Sequence, residues 1–162
     1  MHQVHIYTDG AAKGNPGPGG YGVVMELVGT AYHKEFFEGF RLTTNNRMEL
    51  LAVIVGLEKL KNPGMRVLVV SDSRYVVDAV TKNWVMGWEK KGFAGKKNPD
   101  LWRRFLKVYR RHHVDFKWIK GHNNHPQNER CDQLAVMASQ QKELSVDAYY
   151  EEVASGEGDL GF

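Results

Sequence analysis

The chain has 162 residues, 42% of them hydrophobic and 25% charged, which excludes a disordered or fibrous polypeptide and fits one globular domain able to bury a full core. No apolar run is long enough to cross a bilayer and no signal peptide is visible, so the chain reads as cytoplasmic and without a membrane partner; the single Cys131 cannot form an internal disulfide and fits a reducing compartment. Residues 1–142 hold 22 basic and 13 acidic side chains, whereas residues 143–162 hold six acids and no lysine or arginine, a basic body with an acidic tail that suits a polyanionic partner.

Strand-like runs cover His2–Thr8, Tyr21–Val28, Ala31–Phe40, Met65–Val70 and Val114–Ile119. Gly29 and Thr30 leave so short a link that the second and third runs should form an antiparallel hairpin. Helix-like stretches begin near Thr44, Ser73, Pro99 and Gln127, the last with Asn128 as its candidate cap. Leu50–Leu57 is apolar nearly all round, and its length and charged flanks favour a buried helix over a strand. The order β-β-β-α-β-α-α-β-α implies one mixed sheet with helices on its faces. After Lys142 the periodicity is lost, so 143–162 reads as a mobile acidic tail.

Two apolar runs end alike. Val4–Thr8 stops at Asp9, and Val67–Ser71 stops at Asp72. Ligands of open α/β sheets gather beyond the carboxyl ends of neighbouring strands. If these two strands are parallel neighbours, their carboxylates share a crevice and repel by about 4 kcal/mol at about 4 Å and an effective dielectric near 20. A hard divalent cation between them is the simplest remedy. Glu49, beside the buried helix, and Asp132, near the start of the last helix, are further acids, with Glu129 one turn away as a competitor. Gly17, Gly19 and Gly22 formally match G-x-G-x-x-G, but they open a strand and not a helix, which excludes a dinucleotide site.

Together, Thr8-Asp-Gly10, Gly14-Asn-Pro-Gly-Pro-Gly-Gly20, Thr44-Asn-Asn-Arg-Met-Glu49, Ser71-Asp-Ser73 and Lys120-Gly-His122 followed by Asn128-Glu-Arg-Cys-Asp132 resemble bacterial type 1 ribonuclease H, in order, from about His2 to Gln141. The resemblance implies an α/β fold with a five-stranded mixed sheet flanked by helices, a catalytic domain over 1–142, and hydrolysis of the RNA strand of RNA–DNA hybrids to 5′-phosphate and 3′-hydroxyl ends. It maps the metal-binding carboxylates to Asp9, Glu49, Asp72 and Asp132, and the family's histidine to His122, which takes or relays a proton or assists product departure. It implies two magnesium ions per site with substrate, manganese being the alternative ion; no protein partner is implied, and the chain is read as a monomer. The other histidines, His125 included, default to surface or packing roles.

Asn15, Asn45 and Asn46 match the family's groove residues, with Asn15 and Thr44 as holders of a DNA-strand phosphate and Gly10–Asn15 as backbone open to close approach. Arg74 stands where the family often has glutamine, and Leu42 where it often has a phosphate-binding arginine; Arg41, adjacent, points the other way by strand alternation. The segment Lys82–Lys97, with Trp84, Lys90, Lys91, Lys96 and Lys97, resembles the family's basic protrusion. Its aromatics either line a DNA channel or pack a helix pair. Trp102 and Trp118 read as core, and Cys131 as helix packing. Two rivals stand beside an active nuclease: a hybrid-binding module without turnover, and a resolvase or transposase core on the same fold.

Overall fold

The computed structural model describes residues 1–121 and 124–154. Strands β1 (Val4–Ala12), β2 (Gly17–Leu27), β3 (His33–Thr43), β4 (Arg66–Ser71) and β5 (His113–Trp118) form one sheet in the order β3-β2-β1-β4-β5. The first three pair antiparallel, and β4 and β5 join the other side of β1 in parallel. Helices α1 (Asn45–Glu58), α2 (Arg74–Thr81), α3 (Trp84–Lys90), α4 (Pro99–Tyr109) and α5 (Pro126–Ser139) complete the domain, with a π-helical turn at Tyr150–Ala154. The expected mixed sheet and the β2–β3 hairpin are both present.

The alternation along β1 divides the interior in two. Val4 and Ile6 join Val23, Met25, Val67 and Val69 beneath α1, with Trp102 and Phe105 of α4 buried behind it. Tyr7 points the other way and meets Val24, Val70, Cys131 and Leu134 beneath α5. Leu50–Leu57 is buried throughout because α1 is enclosed by the sheet and α4, as an all-round apolar helix must be.

The structure departs from the expected element limits in instructive places. β1 does not stop at Asp9; it runs to Ala12 because β2 continues to pair with it after β4 has ended, with Asp9 opposite Gly22. The glycine-rich stretch is mostly strand, its turn confined to residues 13–16. The glycines serve close packing: a Cβ on Gly22 would meet the Cys131 carbonyl oxygen and would lie 2.7 Å from Leu134 Cβ. Helix α3 lies inside the basic segment, where its few residues gave no clear period. The α5 cap is His125, whose side chain accepts from the Asn128 N–H, while Asn128 itself is buried in the first turn.

Residues 143–154 are not detached. Ser145 pairs with β3, donating its N–H to the Gly39 carbonyl and accepting from the Arg41 N–H at 2.9 and 3.0 Å. Asp147 is buried, and Glu151 forms two hydrogen bonds with Arg41. The attachment is polar and aperiodic, which hides it from hydrophobic-pattern reading. A Gly22→Ala variant should lose about 1–3 kcal/mol of stability through α5 displacement, read as a lower urea midpoint with unchanged slope.

Candidate active site

Register places the first two carboxylates. Thr8 pairs with Ser71 in the parallel β1–β4 ladder, so Asp9 and Asp72 follow side by side. Asp9 is held within β1 by its pairing to β2; Asp72 leaves β4 just before Ser73 caps α2 by accepting from the Val76 N–H. Glu49 arrives from the first turns of α1. Gly10 makes that possible, because a Cβ there would run into the α1 backbone, with the Met48 carbonyl oxygen only 2.7 Å away. The Gly10 N–H lies between the two acids, 2.9 Å from Asp9 Oδ1 and in a very short contact with Glu49 Oε1.

Asp9, Glu49 and Asp72 each present an oxygen within 4.8 Å of the other two. Burial, foremost, and the Asp72 charge push Asp9 up to about 7, against the lowering effect of its contact with Glu49 and the Gly10 N–H. Burial and then the Asp9 charge raise Glu49 well above the ordinary carboxyl range. Without a cation the pair is driven to retain a proton. Hard oxygen donors at this spacing suit a divalent ion such as magnesium or manganese, so the residues present fit the metal that the sequence implied.

The fourth expected carboxylate is not among the three whose oxygens lie within 4.8 Å of one another. Asp132 is half-buried on α5, on the opposite face of the sheet from α1, and adds a weaker repulsive charge at Asp9. Glu129 is exposed. His122 lies outside the described residues, although Gly121 before it approaches Asp72 so closely that a Cβ would lie 2.8 Å from Oδ2.

The asparagines and Thr44 are built into the scaffold. Thr44 caps α1 by accepting from the Arg47 N–H at 3.2 Å. Asn15 Oδ1 accepts from the Asn45 N–H at 3.0 Å, and Asn45 Oδ1 accepts from the Ala12 N–H at 2.5 Å. Asn46 is exposed. Arg74 lies with its guanidinium 3.9 Å from the centre of the Trp118 ring, whose Nε1 donates to the Asp72 carbonyl at 3.1 Å. Trp118 is therefore not a core residue but a platform beside the site.

In the basic segment, Lys90, Lys91, Lys96 and Lys97 are exposed and Trp84 is 48% exposed. Phe93 is buried, Trp88 packs edge-on to Trp102, and Glu89 is engaged by Arg110. Phe93 and Trp88 are packing residues, leaving Trp84 as the exposed aromatic. Arg47 escaped the sequence reading, though an arginine heading an apolar helix signals a buried partner; it is fully enclosed and paired with Asp100 and Asp147.

The family model for RNase H matches residues 1–140. The chain belongs to the ribonuclease H family. It is accordingly an enzyme, a hydrolase of the endonuclease class. It is 54% identical to ribonuclease H of Desulforamulus reducens, covering 91% of this chain and 94% of that protein. Among solved structures, LC9-RNase H1, a type 1 RNase H with the type 2 active-site motif, superposes with TM-score 0.78 at 32% identity, covering 95% of this chain and 83% of the other. LC11-RNase H1, in complex with RNA/DNA hybrid, gives TM-score 0.64 at 30% identity over 83% and 95% of the two chains.

The Asp9 shift has a testable sign. A carboxyl raised from near 4 to about 7 on folding stabilises the metal-free protein below pH 4, and that contribution is lost as pH rises to 7. Asp9→Asn should therefore raise the metal-free Tm at pH 8 by roughly 3–6 °C, with the gain vanishing near pH 4. Added Mg²⁺ should raise the wild-type Tm and leave that of Asp9→Asn nearly unchanged; calorimetry in EDTA and in Mg²⁺ reads both effects.

Proposed function

We propose that this ribonuclease H-family chain is a metal-dependent endoribonuclease that hydrolyses the RNA strand of RNA–DNA hybrids, leaving 5′-phosphate and 3′-hydroxyl ends, by a two-metal mechanism. The observation that carries the reading is the convergence of Asp9, Glu49 and Asp72 within 4.8 Å, on rigid elements and partly shielded from water. Such a pocket is costly as bare anions and useful once cations neutralise it. Magnesium is the ion of choice, manganese its alternative. Two bound ions would supply an activated water and charge relief at the leaving 3′ oxygen.

The side chains then divide the work. Asp9 would be a ligand to both ions. Asp72 and Glu49 would hold the ion that relieves charge on the leaving oxygen, and Glu49 would also sense the 2′-hydroxyl. Asp132, from α5, would help hold the ion that activates the water. His122 takes or relays a proton or assists product departure.

Recognition falls to the surface around the pocket. A 2′-hydroxyl both donates and accepts, and so does an amide. The exposed Asn46 and the backbone at Gly10 face that task, with Asn45 and Asn15 holding the turn that presents them. Asn15 and Thr44 serve the DNA-strand phosphate. Arg74, flattened on Trp118, offers a guanidinium where an amide would read the sugar, and fits a phosphate. Lys90, Lys91, Lys96 and Lys97, with Trp84, grip the hybrid farther out. The hybrid-bound relative supports this substrate class, and four carboxylates in a protein that only bound hybrid would repel phosphate for no gain.

Labelled hybrid, duplex DNA and duplex RNA incubated with Mg²⁺ test the reading: the RNA of the hybrid alone should be cut, and binding without cutting, or cutting of duplex DNA, would refute it. Asp9→Asn should reduce cleavage to background in the same assay while hybrid binding persists. Replacing Lys90, Lys91, Lys96 and Lys97 by alanine should raise KM and flatten its dependence on log salt by about 0.7–0.9 for each phosphate that the lysines had neutralised.

A further inference from the structure

Arg47 is the third residue of α1, two before Glu49, and only 2% exposed. All five of its guanidinium hydrogens are used. Nε and Nη2 donate to Asp147 at 2.7 and 2.9 Å, Nη1 and Nη2 to Asp100 at 2.9 and 2.7 Å, and Nη1 also to Asn98 Oδ1 at 3.2 Å. Asp147, itself 8% exposed, accepts a further bond from Thr43 Oγ1 at 2.8 Å. Thr43 ends β3 and Arg47 ends the first turn of α1. One carboxylate therefore clamps both ends of the turn Thr44-Asn45-Asn46. That turn is tied in turn to Ala12 and Asn15, and it leads into Glu49. The clamp comes from beyond residue 140, where the family match ends.

We infer that Asp147 is a positioning residue for the active site: by holding Thr43 and Arg47 it sets the turn that presents Asn45 and Asn46 to substrate and Glu49 to metal. The inference rests on the function proposed above. A brace of this kind matters because recognition groups displaced by an ångström lose much of their effect. A bidentate carboxylate on a buried guanidinium is a stiff connection, and an amide in its place keeps the shape but loses the charge and one acceptor.

The experiment compares Asp147→Asn and Asp147→Ala with wild type at a temperature where circular dichroism shows all of them folded. Asp147→Asn should raise KM for hybrid about tenfold and raise the Mg²⁺ concentration for half-maximal rate, with kcat at saturation little changed. Hybrid affinity measured by anisotropy in Ca²⁺ should weaken in step, and Asp147→Ala should do more in each assay. Glu151→Gln, which loosens the pairing with Arg41 and leaves the Asp147 carboxylate in place, should leave KM and affinity as in wild type. Variants that lose Tm but keep wild-type KM, Mg²⁺ requirement and affinity would overturn the inference, as would an equal effect from Glu151→Gln. Wild type that fails to cut hybrid would instead remove the functional reading on which it rests.

Discussion

Three carboxylates in a partly buried pocket repel one another, and that repulsion sets the terms for the surrounding architecture. At an effective dielectric near 20 a pair at about 4 Å costs about 4 kcal/mol, so flexible side chains on flexible loops would simply turn away. Here they have little freedom to do so. Asp9 is part of a strand hydrogen-bonded on both sides up to Thr8 and still paired to β2 beyond it. Glu49 belongs to a helix buried on nearly every face, seated against β1 at a residue without a side chain. The Gly10 N–H, placed between the two acids, gives a partial positive charge where the pocket most needs one. The scaffold thus holds the carboxyl groups together before any cation arrives, which is how a rigid metal site avoids reorganisation on loading.

Much of this was readable from the residues because the relevant patterns are short and strong. Paired apolar runs each ending in aspartate specify buried parallel neighbours, and the all-round apolar Leu50–Leu57 specifies an enclosed helix; both follow from burial, which leaves a direct trace in hydropathy. What was hard to read is what burial does not encode. Gly17, Gly19 and Gly20 of β2 fell outside the expected strand Tyr21–Val28 because close helix–sheet packing and turn chemistry select the same residue. Trp118 looked like core because an indole carries no mark of whether it packs inward or supports Arg74 from outside. Asp132 reads as an equal of the other three acids by motif; its helix brings it to the site from the other face of the sheet, near enough for its charge to act on Asp9, a matter of tertiary placement with no local signal. Ser145 and Asp147 dock by single polar groups and have no period to detect.

The substrate-facing residues do two jobs at once. Thr44 caps a helix, Asn15 and Asn45 bond neighbouring backbone N–H groups, and Trp118 both carries Arg74 and bonds the Asp72 carbonyl. Side chains locked in this way lose little freedom when a ligand arrives, so less of the binding energy goes into ordering them. The lysines of Lys82–Lys97 follow the opposite rule. They are exposed to solvent, as suits groups that track a polyanion by charge and not by shape.

The short pairing of Ser145 with β3 has a bearing on how copies of this chain behave in a crowded solution. An outermost strand with open main-chain donors and acceptors invites another molecule to extend the sheet. Along β3 that invitation is blunted at one end by Lys34, Glu35 and Glu38, and at the other by Ser145 occupying Gly39 and Arg41. The same few residues that reach across from the C-terminal segment therefore act as a seam closure, keeping a sheet-forming border from becoming a point of self-association.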